Sequence, residues 1–159
     1  MEFTSDQRKA FDLALGGENL FITGGAGTGK TFLLQKVIQT LVRLGKQVVI
    51  CAPTGTAAIK VGGVTINRVF SLLAGPCINE KSMSLTVHCP ATIKKADVVI
   101  IDEVSMCRMD MMDSIQKSIE KAEKQTKRHI QVIVVGDFFQ LPPVINEDRG
   151  ERTLLEKYY

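Results

Sequence analysis

Residues 24–31 read Gly24-Gly25-Ala26-Gly27-Thr28-Gly29-Lys30-Thr31, and they stand between an apolar strand and an amphipathic helix. A GxxxxGK[ST] run in that context restricts the fold to sheets in which a strand feeds directly into a helix. Upstream, residues 19–23 form the short apolar strand. Downstream, over residues 30–44, the apolar residues fall in pairs: Leu33/Leu34, Val37/Ile38 and Leu41/Val42. That four-residue repeat predicts a helix with one buried face, ended by Gly45.

The chemistry of the run is phosphate binding. Glycines let the backbone wrap closely enough to aim N–H groups at phosphate oxygens, and the helix start adds partial positive charge. Gly24, Gly25, Ala26, Gly27, Thr28 and Gly29 form this cradle. Lys30 is expected to reach the β- and γ-phosphates of ATP, and the Thr31 hydroxyl to hold Mg2+.

The same alternation continues along the chain. Thr4 and Gln7 have capping-box spacing and predict a helix to about Leu15, stopped by Gly16-Gly17. Residues 47–52 predict a second strand, followed by Pro53 and a helix through Val61. Gly62-Gly63 breaks that helix, and a short helix is expected over 66–73. Residues 74–91 show neither period and read as a loop. Residues 97–102 predict a third strand, and Val98 to Ile101 are apolar at every position, as when both faces of a sheet are covered. Met109, Met112, Ile115, Ile119 and Ala122 trace a helical stripe, and residues 120–128 its solvated end. Residues 130–135 predict a fourth strand. Strands alternating with helices imply an α/β fold, a parallel sheet with helices on both faces. Ligands bind such sheets beyond the carboxyl ends of the strands.

Two other strand ends carry polar groups suited to that place. Asp102-Glu103 follows the third strand: Asp102 suits Mg2+, and Glu103 suits orienting and deprotonating an attacking water. The alternative is a pair of acids that merely caps a helix. Gly136-Asp137-Phe138-Phe139-Gln140 follows the fourth strand, and the neutral amide of Gln140 can donate to a γ-phosphate. Its alternative is a turn residue ahead of Pro142-Pro143.

The bulk composition narrows the class. At 159 residues the chain is long enough for one domain with a core and too short for two. A net charge of +3 is too small to argue for nucleic acid, so any DNA contact must be local. No apolar run approaches membrane-spanning length and the N-terminus lacks a signal-peptide layout, so no membrane partner and an intracellular setting are expected. That means cytoplasm in a bacterium, nucleus or mitochondrion in a eukaryote. Cys51, Cys77, Cys89 and Cys107 have no CxxC spacing, and reduced thiols are expected over a zinc site.

The ordered set GGAGTGKT, CAPTGTAAIKVGGVTI, IIDEVSM and GDFFQLPPV resembles the petite integration frequency (PIF) family of superfamily 1 DNA helicases, related to RecD. The resemblance runs from Gln7 to Val144. It implies a RecA-like P-loop NTPase fold and ATP-driven 5′-to-3′ movement on single-stranded DNA. It further implies that Gln7 reads adenine, beside its capping-box role, and that Gln140 senses the γ-phosphate. Thr54, Gly55, Asn67, Arg68, Phe70 and Pro142 fall along its DNA path, although the family commonly has histidine where this chain has Asn67. Thr54 also suits a helix N-cap, and Phe70 a core position. The chain is expected to be one domain over 1–159, the first of two RecA-like motor domains, and monomeric. The family's arginine finger comes from the second domain; Arg108, Arg149 and Arg152 lie in no matching motif. The chain alone is therefore expected to bind nucleotide but hydrolyse it poorly. Two alternatives are another P-loop enzyme, such as a small kinase or AAA-type ATPase, and a non-catalytic nucleotide-binding module. The first leaves GDFFQLPPV without a role; the second predicts loss of Lys30, Asp102 or Glu103, all of which are present.

Overall fold

The computed structural model describes residues 2–146 and 150–159. Thr4 caps α1 (Ser5–Leu15) by accepting from Gln7 N, and the Gln7 side chain accepts from Thr4 N, a complete capping box. The strand β1 (Leu20–Thr23) then enters the glycine-rich loop, which opens α2 (Lys30–Arg43). After α2 come β2 (Val48–Ala52), α3 (Gly55–Lys60), β3 (Val64–Thr65) and α4 (Ile66–Phe70). Ser71 adopts a left-handed conformation and stops α4 before the expected Leu73.

Residues 74–91 are more than a loop. They contain the antiparallel pair β4 (Ile78–Asn79) and β5 (Ser84–Leu85), and α5 (Ala91–Lys95) starts at their end. The strand β6 (Val98–Ile101) leads through a 3-10 turn (Val104–Met106) to α6 (Met109–Thr126), and β7 (Gln131–Gly136) follows. A last helix, α7 (Glu151–Tyr158), was not expected from the periodicity.

Five strands form one parallel sheet in the order β1-β7-β6-β2-β3. Alternate residues of β6 enter opposite layers, which explains its unbroken apolar run. Val98 and Ile100 join Leu33, Leu34, Val37 and Leu41 of α2 on one face. Val99 and Ile101 join Phe70, Ile93, Ile115 and Ile119 on the other. The α/β fold with helices on both faces is therefore as expected. The stripe of α6 is as expected at Ile115, Ile119 and Ala122, with Met112 packed against the same core, and it departs only in the first turn. Met111 is buried while Met109 is 60% exposed, because Asp110 beside it turns inward and accepts from Cys77 N at 2.6 Å.

Parallel pairing sets the strand ends side by side. Thr23 lies opposite Gly136, Val134 opposite Ile101, and Ile101 opposite Cys51. The polar segments that follow each strand consequently share one edge of the sheet.

Candidate nucleotide site

The phosphate loop is tied to α1 through Gln7. Its Nε2 donates to Thr28 O at 3.0 Å while its Oε1 accepts from Thr4 N, so one amide group serves both the helix cap and the loop. Gly29 permits this contact. Its φ is 82°, and a Cβ there would lie 2.6 Å from Gln7 Nε2. Lys30 Nζ donates to Gly25 O at 2.9 Å and to Gly24 O, which holds the ammonium across the loop. Beside it, a groove of about 650 Å³ runs between α1 and β1, lined by Gln7, Phe21, Gly24, Thr28 and Lys30. Thr31 is exposed one residue further along α2.

At the end of β6, Asp102 N donates to Cys51 O, and Asp102 Oδ1 accepts from Glu103 N at 2.9 Å. Burial holds the Asp102 carboxyl above the usual carboxylate range; the Glu103 charge adds to this, and the Glu103 N–H, Lys30 and Lys60 oppose it. Glu103 has a φ of 54°, a left-handed conformation that β-carbon residues rarely adopt and that costs energy where it persists.

The end of β7 approaches that turn closely. A Cβ at Gly136 would meet Val104 Cγ1 at 2.7 Å, so glycine is required there. Asp137 is buried and accepts from Phe139 N at 3.0 Å and from Gln140 Nε2 at 3.2 Å. It shapes the turn that carries Gln140. Glu103 and Gln140 line one cleft of about 210 Å³ with Thr54, Thr56 and Lys60. Neither Asp137 nor Lys60 was singled out from the sequence. The signal for Lys60 was its position one helical turn after Thr56.

The expected DNA-path residues separate into two groups. Thr54 caps α3, its Oγ1 accepting from Ala57 N at 3.2 Å, and Gly55, Arg68 and Pro142 are exposed. Phe70 is a correction: it is 1% exposed and packed in the core, so its ring cannot line a strand path. Asn67 is half-buried and donates Nδ2 to Leu73 O at 2.9 Å and to Leu72 O, closing the end of α4.

Of the arginines outside the motifs, Arg108 is bound to Asp110 at 3.0 Å and to Gly75 O. Arg149 lies outside the described residues. Arg152 lies on α7.

Comparison with known proteins places this geometry in a family. A family model described as PIF1-like helicase matches residues 2–156. The ATP-dependent DNA helicase Pif1 of Bdellovibrio bacteriovorus is 36% identical over 150 residues, covering 91% of this chain and 34% of the relative. A crystal structure of Bacteroides Pif1 bound to ssDNA superposes with a TM-score of 0.79 at 34% identity, covering 100% of this chain and 37% of that one. A structure of Bacteroides sp Pif1 in complex with ADP-AlF4 gives the same four values. The chain thus spans about a third or less of the length of the curated relatives it matches.

Proposed function

The chain belongs to the PIF1-like helicase family, and on that premise we propose that it is the ATP-binding motor domain of a helicase that moves 5′ to 3′ along single-stranded DNA. The observation that carries the proposal is the convergence of the phosphate loop, Asp102-Glu103 and Gln140 at adjacent strand ends of one parallel sheet. Similarity to a Bacteroides Pif1 seen with ADP-AlF4 and with ssDNA supports both ligands.

Each side chain has a distinct task. The loop N–H groups and Lys30 hold the phosphates, and Lys30 exchanges its carbonyl partners for phosphate oxygens. Gln7 keeps one amide hydrogen beyond its bond to Thr28 O and uses it on adenine. Thr31 and Asp102 supply a hydroxyl and a carboxylate, the oxygen donors a magnesium ion prefers alongside phosphates, so the residues present fit that ion. Bound there, magnesium would offset the charge of the phosphates. Glu103 orients the attacking water and takes its proton, while Gln140, held by Asp137, senses the γ-phosphate. Thr54 and Gly55 meet a DNA phosphate at the start of α3, flanked by Arg68 and Pro142.

Hydrolysis by this chain alone is expected to be slow. An arginine supplied from a second RecA-like domain is worth about a thousandfold or more in rate. Arg108 is engaged by Asp110 and does not substitute for it.

The test is a titration of a fluorescent ATP analogue with magnesium into the wild-type chain and Lys30→Ala, repeated with oligo-dT. Nucleotide binding should vanish in Lys30→Ala, and oligo-dT should bind more weakly as salt rises. Equal nucleotide binding by both proteins would remove the phosphate-loop reading. Nucleotide binding with no single-strand binding at any salt would count against the DNA half.

A further inference from the structure

Lys60 is the last residue of α3 and has no task in the reading given above. It stands one helical turn after Thr56, so the two side chains leave α3 on the same side. Together with Thr54, Glu103 and Gln140 they line the cleft of about 210 Å³ at the strand ends. The charge of Lys60 reaches Asp102 as well, in the same sense as that of Lys30. The carboxylate of Glu103 and the neutral amide of Gln140 otherwise border this space, with Asp102 next to Glu103 in the chain. Such a set repels a terminal phosphate unless a cation stands among them. Lys30 approaches from the phosphate loop, and Lys60 approaches from α3 on the far side of β6, since β2 precedes α3 and pairs with β6.

The geometry points to Lys60 as a second γ-phosphate ligand, an ammonium on α3 that binds the terminal phosphate of a nucleoside triphosphate seated in the phosphate loop. This rests on the nucleotide reading of that loop. A diphosphate ends short of the cleft and leaves Lys60 without its partner, so the residue discriminates between the two nucleotides. It also connects the cleft to the helix capped by Thr54. Six residues at 1.5 Å rise make α3 about 9 Å long, one rigid piece from the proposed DNA contact to this lysine.

The experiment compares a fluorescent non-hydrolysable ATP analogue with fluorescent ADP, each with magnesium, on four proteins. These are wild type, Lys60→Met, Lys60→Arg and Lys46→Met, the last an exposed lysine in the turn after α2. Lys60→Met should weaken the triphosphate about tenfold, the scale of a charge-assisted hydrogen bond, and ADP less than about twofold. Lys60→Arg should keep most of the preference, Lys46→Met should keep all of it, and thermal melts should coincide. Equal weakening of both nucleotides by Lys60→Met, or no change in either, overturns the assignment. So does a loss of oligo-dT affinity with the nucleotide ratio intact, which would make Lys60 a DNA-phosphate contact. Lys30→Ala separates the two levels. If it abolishes binding, the nucleotide reading stands whatever Lys60 does; if wild type binds neither nucleotide, both fall together.

Discussion

Asp102 and Glu103 show what a single residue gives up at this sheet edge. Asp102 is kept above the usual carboxylate range mainly by burial, so its charged form is held at a cost to the fold. A group whose folded pKa lies above its unfolded value binds its proton more tightly in the native state. Stability then falls as pH rises through the window that opens at 3.8. Asp102→Asn removes the half-buried charge and can keep the bond from Glu103 N through its amide oxygen. It should raise the urea midpoint at pH 7, and the gap to wild type should close as pH falls toward 3.8. A variant less stable than wild type at pH 7 would show that the carboxylate contributes more than burial costs. Glu103 adds a left-handed backbone to the same turn. Strain beside a half-buried carboxylate is the pattern expected where function and stability trade against each other.

The short elements were decided by packing more than by local preference. The helix α4 has five residues, too few for helical stability of its own, and it persists because Ile66, Val69 and Phe70 are buried. Phe70→Ala should cost about 3–5 kcal/mol. Phe70→Leu should fold and leave oligo-dT affinity within about twofold of wild type, because the ring faces the core. Exposed Arg68 should behave differently: Arg68→Ala is expected to lower the salt slope of oligo-dT binding by about one. A large affinity loss in Phe70→Leu with Arg68→Ala silent would reverse these two assignments. Asn67 explains why a side-chain amide serves at its position. It satisfies the carbonyls of Leu72 and Leu73 where α4 ends.

Across the whole molecule, burial separates the thiols. It pushes Cys51 and Cys107 up to about 12 and Cys77 up to about 11, so none of the three forms thiolate near neutral pH. Cys89 is half-buried just before α5. A thiol-reactive dye should therefore label one cysteine in the native protein and all four in denaturant. Labelling of two or more in the folded state would mean that the fold opens at β2, at the start of β4 or at the turn after β6. Residues around Gln140 face solvent instead: Phe139 is 100% exposed, Leu141 72% and Val144 79%.

The sheet, its two helical layers and the order of the long elements were legible along the chain, because period and punctuation are local. The four-residue repeat of α2, the capping box of Thr4 and Gln7 and the unbroken apolar run of β6 each state their surroundings directly. So did the segments that now meet at the strand ends, since a parallel sheet brings every carboxyl end to one edge. Other features depended on partners distant in sequence. Two-residue strands such as β3, β4 and β5 carry no period. The inward turn of Asp110 needs Cys77 N and Arg108 to satisfy it. Phe70 could be core or surface until the sheet lay beneath it, and Lys60 had no meaning until α3 packed beside β6. Pattern along the chain determined which elements form and in what order. Only tertiary packing decided which side chains share a cleft, because that follows from strand order and from helix rotation, and neither is written locally.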